Sequence, residues 1–582
     1  MLNFIDWLVI LGYFGVLAAV VFATKRRQES GEDFFLGGRS VGWLAIGASI
    51  FAANIGSEHL IGLAGSGAVA GLSQSHWEFH AWVLVMMSWV FLPFYYKSGV
   101  STMPEFLERR FGSRARWILS LVSLAAYVLT KISVTVYAGA LFFEVMMPEV
   151  QLTVGGTVIS SFWIGAIATV ALAGVYSSFG GLTAVVYTDL VQSGIILVGT
   201  LSVTGFALYH LGNSGVPLAD GSAAAGLGDG WQVLKETIRS TGNVEQFGLW
   251  HSLSHKAFPW LGVIVASVTI GIWYWCTDQF IIQRTLSAKN LTNARRGAIW
   301  GGFLKLAPVF LFLVPGMLGF ALHHNNVTVN GGEFAIPMKV LADGSKVLNG
   351  DTVFPSLVQT LLPMGFRGLV VAGMIAALMS SLASLFNSVS TLFTVDVYQK
   401  LRPQTPPRRL VAIGRMTTVA MTVLGIVWVP IMKAIAGGGL YQYIQAVQSF
   451  LAPPIVAVFV LGLFWKRMNL RGACWGLGAG FALGMAKLAA NAIWGGSDGF
   501  AFIQDFYFSG ILLALCIAIV IISSLTAPAP DAKHLNGLNF HCLDERFRKE
   551  NRESWNWVDV VSSAVVVGLV VAAYIYFWTW LD

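Results

Sequence analysis

Apolar stretches, most of them close to the length of one bilayer crossing, recur along the whole of this chain. They lie at roughly 4–24, 41–67, 79–97, 117–147, 161–177, 182–210, 258–283, 296–321, 354–395, 409–434, 438–464, 471–491, 505–525 and 557–580. About 20 apolar residues carry a helix across hydrocarbon. In lipid a segment must satisfy its own backbone, which leaves the helix as the form for runs of this length. The pattern predicts an all-α integral membrane protein of about 14 transmembrane helices. Composition points the same way: 56% of the 582 residues are hydrophobic and 11% are charged, where a soluble chain carries about a quarter. The ninth stretch is too long for one straight crossing and predicts a break or a turn outside the membrane.

Loop charge orients these segments. Lys25, Arg26, Arg27 and Arg39 follow the first, and Lys97, Arg109, Arg110, Arg114 and Arg116 follow the third. Similar clusters follow the seventh, ninth, eleventh and thirteenth, whereas the alternate loops hold few basic residues. The positive-inside rule then places both termini outside a plasma membrane, or an inner membrane if the host is bacterial. The net charge of +7 is spread over short loops rather than along a stripe, so no nucleic-acid partner is expected. Cys276, Cys474, Cys516 and Cys542 are scattered and form no CxxC, which predicts neither a disulfide framework nor a metal cluster. The stretch 4–24 is followed directly by basic residues and reads as a retained helix, not a cleaved leader.

Spans two to six enter from the inside and spans seven to eleven from the outside. An odd number of helices inverts the second set relative to the first, which is a transporter architecture with its site at the midplane and discontinuous helices around it. The predicted organisation is a flanking helix (1–30), a first repeat (41–210), an outer loop (211–257), a second repeat (258–464) and C-terminal flanking helices (465–582) with a cytoplasmic linker at 526–556. The outer loops 211–257 and 322–353 are either caps over an entrance or tolerated insertions.

The polar residues inside the apolar runs carry the chemistry. The stretch AALMSSLASLFNSVSTLFTVDVY (376–398) holds Ser380, Ser381, Ser384, Asn387, Ser388, Ser390 and Thr391. Such hydroxyls bond helix carbonyls and pack helices closely, or they line a cation site. In ASIFAANIGSEHLIGLAGSG (48–67), the cluster Asn54, Ile55, Gly56, Ser57, Glu58, His59 favours an unwound segment with free carbonyls. GIWYWCTDQFIIQR (271–284) opens the second repeat, and Trp273, Tyr274 and Trp275 offer faces for a sugar ring or a gate. Glu78, Lys305 and Gln445 supply an acceptor, a donor and an amide, a set suited to a neutral polyhydroxylated solute, although Glu78 and Lys305 also read as an internal ion pair. Asp189 carries a proton or an ion, or bonds a helix end. No nucleophile–base or metal-ligand spacing suggests an enzyme.

These strings resemble the sodium/glucose cotransporters of the solute:sodium symporter family. The likeness runs through DFFLGGRS (33–40), TMPEFLERRFG (102–112), GGLTAVVYTD (180–189), WYWCTDQFIIQRTLSAKN (273–290), FLKLAPVFLFLVPGM (303–317), the serine helix and APPIVAVFVLGLFWKR (452–467). It implies a five-plus-five inverted-repeat (LeuT-like) core with flanking helices. It implies a sodium ion held by Ala52, Ile55, Ala377, Ser380 and Ser381, and a sugar pocket of Asn54, His59, Glu78, Lys305 and Gln445. Tyr274 falls at the inner gate, with Trp275 beside it. Gly271 stands where sugar-carrying relatives often have Thr or Asn, and Gln442 replaces an acid of animal members. Ala383 and Ala53 stand where a second sodium site would need hydroxyls, which implies one sodium per sugar. The implied activity is sodium-driven import of a monosaccharide by alternating access, with membrane lipid and a small solute as partners and no obligatory protein partner. A non-transporting sugar sensor and a symporter for inositol or an amino acid are the alternatives.

Overall fold

The computed structural model describes residues 2–24, 36–56, 58–340, 344–435, 440–494 and 502–581. Lys25, Arg26, Arg27, the start of the 33–40 string and Ser57 lie outside the described residues. Among those described, twelve helices are long and apolar enough to cross a membrane, and two shorter apolar helices, Trp43–Asn54 and Ser161–Gly174, accompany them. Among the described residues, strands occur as three short hairpins in loops, pairing Leu152–Val154 with Thr157–Ile159, Thr328–Val329 with Gly332–Glu333 and Met338–Val340 with Lys346–Leu348.

Burial sorts these helices into centre and rim. In Phe366–Leu401, 89% of the most apolar window is buried, against 17% in Phe4–Thr24 and 22% in Trp557–Trp578. The serine helix is therefore central, and the first and last helices present Phe4, Phe22, Ile575 and Trp578 outward, as lipid-facing helices do.

The long apolar run at 354–395 is broken as its length predicts. Val353–Leu361 is one helix and Phe366–Thr391 the next. Pro363 holds the preceding residue out of the helical region, and Leu362 is extended, at φ −82° and ψ 135°. Gly365, at φ +85°, makes the turn. The restarted helix is capped from far away in sequence. Asp6 Oδ1 accepts from Gly365 N at 2.8 Å and from Gly368 N at 2.9 Å, which satisfies orphan first-turn amides with a negative charge.

Helix is described over Ser161–Gly174 and again over Leu182–Gly212, and the second stretch runs back alongside the first. Gly165 packs on Phe143, and Gln359 bonds Val145 O at 3.1 Å. His210, near the other end, bonds Leu361 O. Both ends thus lie beside Val353–Leu361, whereas a straight helix would set residues 165 and 210 about 68 Å apart. The described helices Ser161–Gly174 and Leu182–Gly212 correspond to the separate stretches at 161–177 and 182–210.

The first helix of each set is interrupted. Trp43–Asn54 ends at Ile55, whose φ of −80° and ψ of 94° are extended, and the chain resumes with a π-helical turn, Glu58–Leu63, and the helix Ala64–Ala70. Trp260–Gly271 passes through a π-helical turn, Ile272–Thr277, to an extended Asp278 before Gln279–Leu286 begins. Asp278 caps this last piece by accepting from Phe280 N at 3.2 Å. The two long loops close on the far half of the first broken helix. A Cβ at Gly71, which sits at φ +52°, would lie 2.3 Å from Phe247 Cα, and one at Gly65 would lie 2.6 Å from Gly350 C. Both loops thus pack closely on that helix.

Candidate solute and cation site

Glu78 is wholly buried at the end of the one-turn helix Ser75–Glu78. Lys305 closes Leu291–Leu304, where Pro308 cannot supply the next helical amide. The two meet with Lys305 Nζ 2.5 Å from Glu78 Oε2. Lys305 also donates to Asn54 Oδ1 at 2.8 Å, and Asn54 Nδ2 donates to Tyr274 OH at 3.2 Å. On the other side, Tyr441 OH donates to Glu78 Oε1, and His59 Nε2 lies 3.5 Å from that same oxygen. A continuous polar chain thus runs Tyr441, Glu78, Lys305, Asn54, Tyr274, joining both broken helices. Removing one charge of such a pair leaves the other buried alone, at a cost of about 3–5 kcal/mol.

All five predicted solute residues, Asn54, His59, Glu78, Lys305 and Gln445, line one cavity, together with Tyr274, Trp275 and Ser381. Its volume is about 50 Å³, room for a few waters and not for a hexose. Glu58 Oε2, both ring nitrogens of His59, Trp275 Nε1 and Gln445 Oε1 are buried around it with no hydrogen-bond partner among the described residues. The wall is therefore rich in donors and acceptors that a polyhydroxylated ring could satisfy. Trp273 is buried outside the cavity, so two of the three adjacent aromatics serve it. Gln442 lines a separate cavity with Lys339, Lys346 and Asp351.

Lys131, Tyr441 and His80 also stand in the wall of this cavity. Lys131 pairs with Asp278, to which Tyr127 OH also donates, and its Nζ stands 4.4 Å from the Tyr274 ring centre and 4.0 Å from that of Phe280. An isolated lysine in the apolar stretch 117–147 was its signal. Tyr441 stood unweighed beside Gln445. His80 lines the cavity and shares a 2.8 Å hydrogen bond with Ser267 Oγ. A Cβ added at Gly271 would lie 3.1 Å from His80 Nε2. The hydrogen bond that the resemblance implies is missing at Gly271 is thus matched by an imidazole filling the neighbouring space.

The residues that the resemblance implies for sodium lie on the first broken helix and on the serine helix, which touch through Ser381. Gly56 N bonds Asn54 O at 3.1 Å instead of reaching Ala52 O four residues back. Ser381 Oγ lies 3.3 Å from Ala53 O, which brings the serine helix against the unwound carbonyls. Ala52, Ile55, Ala377 and Ser380 are all fully buried. Carbonyl and hydroxyl oxygens at an unwound helix form a hard donor set that fits a sodium ion. Ser380 adds a carboxylate that the resemblance did not assign to this place. Its Oγ donates to Asp189 Oδ1 at 2.5 Å, while Ser49 Oγ donates to Oδ2 at 2.5 Å. Arg284 Nη2 stands 4.0 Å from Oδ2, and its Nε reaches Ser49 Oγ at 3.0 Å. Asp189 therefore bonds neither a helix end nor bulk water. A hydroxyl that gives its proton to Asp189 keeps its lone pairs for a cation. Further along the serine helix, Ser388 and Thr391 bond Ser384 O and Asn387 O one turn back, at 3.0 and 2.7 Å, the packing role open to all these hydroxyls.

Comparison with known proteins places this geometry in context. A profile described as the Sodium:solute symporter family matches residues 34–480. Sodium/glucose cotransporter 4 of Danio rerio is 38% identical over 564 residues, covering 94% of this chain and 83% of its own length. Sodium/myo-inositol cotransporter 2 of Homo sapiens is 38% identical over 495 residues, covering 84% of this chain and 70% of its own. Among solved structures, the substrate-bound outward-open state of a Na+-coupled sialic acid symporter superposes with a TM-score of 0.69 at 20% identity, covering 91% of this chain and 99% of that one. The shared fold is the inverted-repeat transporter fold expected from the two broken helices.

Proposed function

This chain belongs to the Sodium:solute symporter family, and from that premise we propose that it is a sodium-driven symporter importing a monosaccharide by alternating access, with one sodium per sugar. The observation that carries this reading is the polar chain Tyr441, Glu78, Lys305, Asn54, Tyr274 around a cavity too small for a hexose. A neutral solute with hydroxyls around a ring replaces these internal bonds one for one, donating to Glu78 and accepting from Lys305. His59 and Gln445 complete its coordination, and Trp275 packs on a ring face. Tyr274 closes the path between the cavity and the arginine-rich face while its hydroxyl remains bonded to Asn54.

Sodium enters from the face opposite the arginine-rich loops and sits between Ala52, Ile55, Ala377, Ser380 and Ser381. Bridging the first broken helix to the serine helix fixes Asn54 and so shapes the solute pocket. Ala383 and Ala53 offer no side-chain oxygen for a second ion, which supports the stoichiometry. One charge crossing gains about 2.3 kcal/mol per 100 mV, enough for about fiftyfold accumulation. In this reading the chain crosses the plasma membrane fourteen times with both termini outside, is no enzyme and needs no protein partner. The repeats span 41–210 and 258–464.

Uptake of radiolabelled sugar into proteoliposomes, with and without an inward sodium gradient, tests the proposal. Gradient-dependent accumulation supports it. Sugar binding without transport would instead identify a sensor, and sodium-driven uptake of amino acids alone would overturn the solute assignment. Competition by glucose, galactose and myo-inositol in the same assay identifies the solute.

A further inference from the structure

A second cavity, of about 870 Å³, lies on the arginine-rich face, away from the solute site. Its walls are the starts of two membrane-crossing helices, Ser113–Tyr127 and Leu470–Trp494, and the Ala-Pro-Ala-Pro segment at 527–530. Arg114 and Arg471 stand in the first turns of those helices, and Arg110 forms the inner wall. Arg110 is completely buried. Its Nε bonds Gly462 O at 2.9 Å and its Nη2 bonds Trp465 O at 3.4 Å. Its Nη1 is buried with no hydrogen-bond partner among the described residues. A guanidinium donor buried beside a cavity without an acceptor is costly unless something accepts from it.

Other features call for an anion. The helix Ser113–Tyr127 begins after Gly112 with no side-chain cap, and Gly112 sits at φ +128°. Ala115 N bonds Gly112 O at 3.2 Å, and the positive dipole end beside the cavity carries no side-chain acceptor. Three arginines line the space against one acid, Asp531, which lies 3.4 Å from Lys533. Trp117 and Trp475 also line it, with Trp475 57% exposed. Tryptophans one turn into a crossing helix mark the headgroup level of a bilayer, and basic pockets between helices at that level suit anionic headgroups.

We propose that this cavity binds the phosphate of an anionic phospholipid headgroup. Arg110 Nη1 supplies the buried donor, Arg114 and Arg471 neutralise the charge, and the two tryptophans pack along the glycerol and upper acyl chains. The inference is independent of the solute site and of the transported sugar.

The test is thermal unfolding of the purified full chain in detergent with phosphatidylglycerol, phosphatidylcholine or inorganic phosphate added. The variants are the double exchange Arg114→Gln with Arg471→Gln, which leaves the buried Arg110 in place, and Arg546→Gln as a surface control. Phosphatidylglycerol is expected to raise the unfolding midpoint of the parent chain and of the control equally. The double variant should lose at least half of that rise, and native mass spectrometry should find less lipid retained on it. A full rise in the double variant would overturn the proposal. So would an equal rise from phosphatidylcholine, which would remove the charge requirement, or from inorganic phosphate at the same concentration, which would make the site one for free anions.

Discussion

Ser380 Oγ donates a 2.5 Å hydrogen bond to Asp189 Oδ1, tying the serine helix to a carboxylate 191 residues earlier. The same carboxylate accepts from Ser49, on the first broken helix. Asp189→Asn keeps the shape but turns one acceptor oxygen into a donor, so one serine loses its acceptor and spends a lone pair on the amide instead. A hydrogen bond to a charged group contributes about 1.5–3 kcal/mol. The sodium concentration for half-maximal uptake should therefore rise about tenfold or more, with sugar half-saturation at saturating sodium nearly unchanged. Ser381→Ala should shift sodium activation in the same direction. An unmoved sodium curve in both variants would refute the cation assignment.

Gln445 offers a buried acceptor that nothing described in the protein satisfies. Gln445→Ala should raise the sugar concentration for half-maximal uptake about three- to tenfold, the value of one net hydrogen bond, and leave sodium activation alone. Glu78→Ala is a different experiment. It strands the Lys305 charge, so it should abolish uptake and also lower the unfolding midpoint. Measuring folding and uptake side by side separates the two residues.

Gly271 and His80 share one space, with a Cβ at Gly271 falling 3.1 Å from the imidazole. Gly271→Ser should push His80 off Ser267 and weaken sugar affinity several-fold. In the double variant with His80→Ala, the added serine finds room, and affinity should recover part of the loss. A loss in the double variant equal to the sum of the two single losses would show that the positions act independently.

Outside the membrane-crossing helices, His251 in the loop 211–257 is held neutral. Burial, with the neighbouring imidazoles of His255 and His76, pushes it down to about 4 from the usual 6.5. Its Nε2 shares a 2.8 Å hydrogen bond with Ser73 Oγ. A depressed value in the folded state means that its contribution is complete above the unfolded value and is lost as pH falls toward the folded one. The loop should loosen between about pH 6.5 and about pH 4. Hydrogen exchange in 244–258, corrected for intrinsic rates, should quicken over that window, and His251→Asn should flatten the dependence.

The crossing helices and both breaks were legible because they are local. Apolar runs of bilayer length name the helices, and Gly beside Asn, Glu and His names the first interruption. The break before Phe366 was foreshadowed by stretch length. What was not legible is pairing across the fold. Nothing near Ser380 in sequence announces Asp189, and Asp6 gives no sign that it caps the serine helix. Lys131 stands alone in its apolar stretch, and its partner Asp278 lies 147 residues on, at the second broken helix. His80 went unnoticed for a related reason. Its importance comes from the side chain that Gly271 lacks, and an absence on one helix carries no local pattern on another.

A carrier has to make its journey home unladen, and the Glu78–Lys305 pair bears on that half of the cycle. With Tyr441 and Asn54 closing the chain at either end, acid and base already neutralise and bond one another without a passenger. The unladen protein can therefore reorient without dragging a bare charge through a dry interior, an excursion costing several kcal/mol per ion. Because the pair is electrically balanced, the membrane voltage does no work on these two groups in the return stroke. On the proposed solute assignment, tight pairing at this one point serves turnover as well as recognition: the bonds an entering sugar displaces are the same ones that let the protein reset after the sugar has gone.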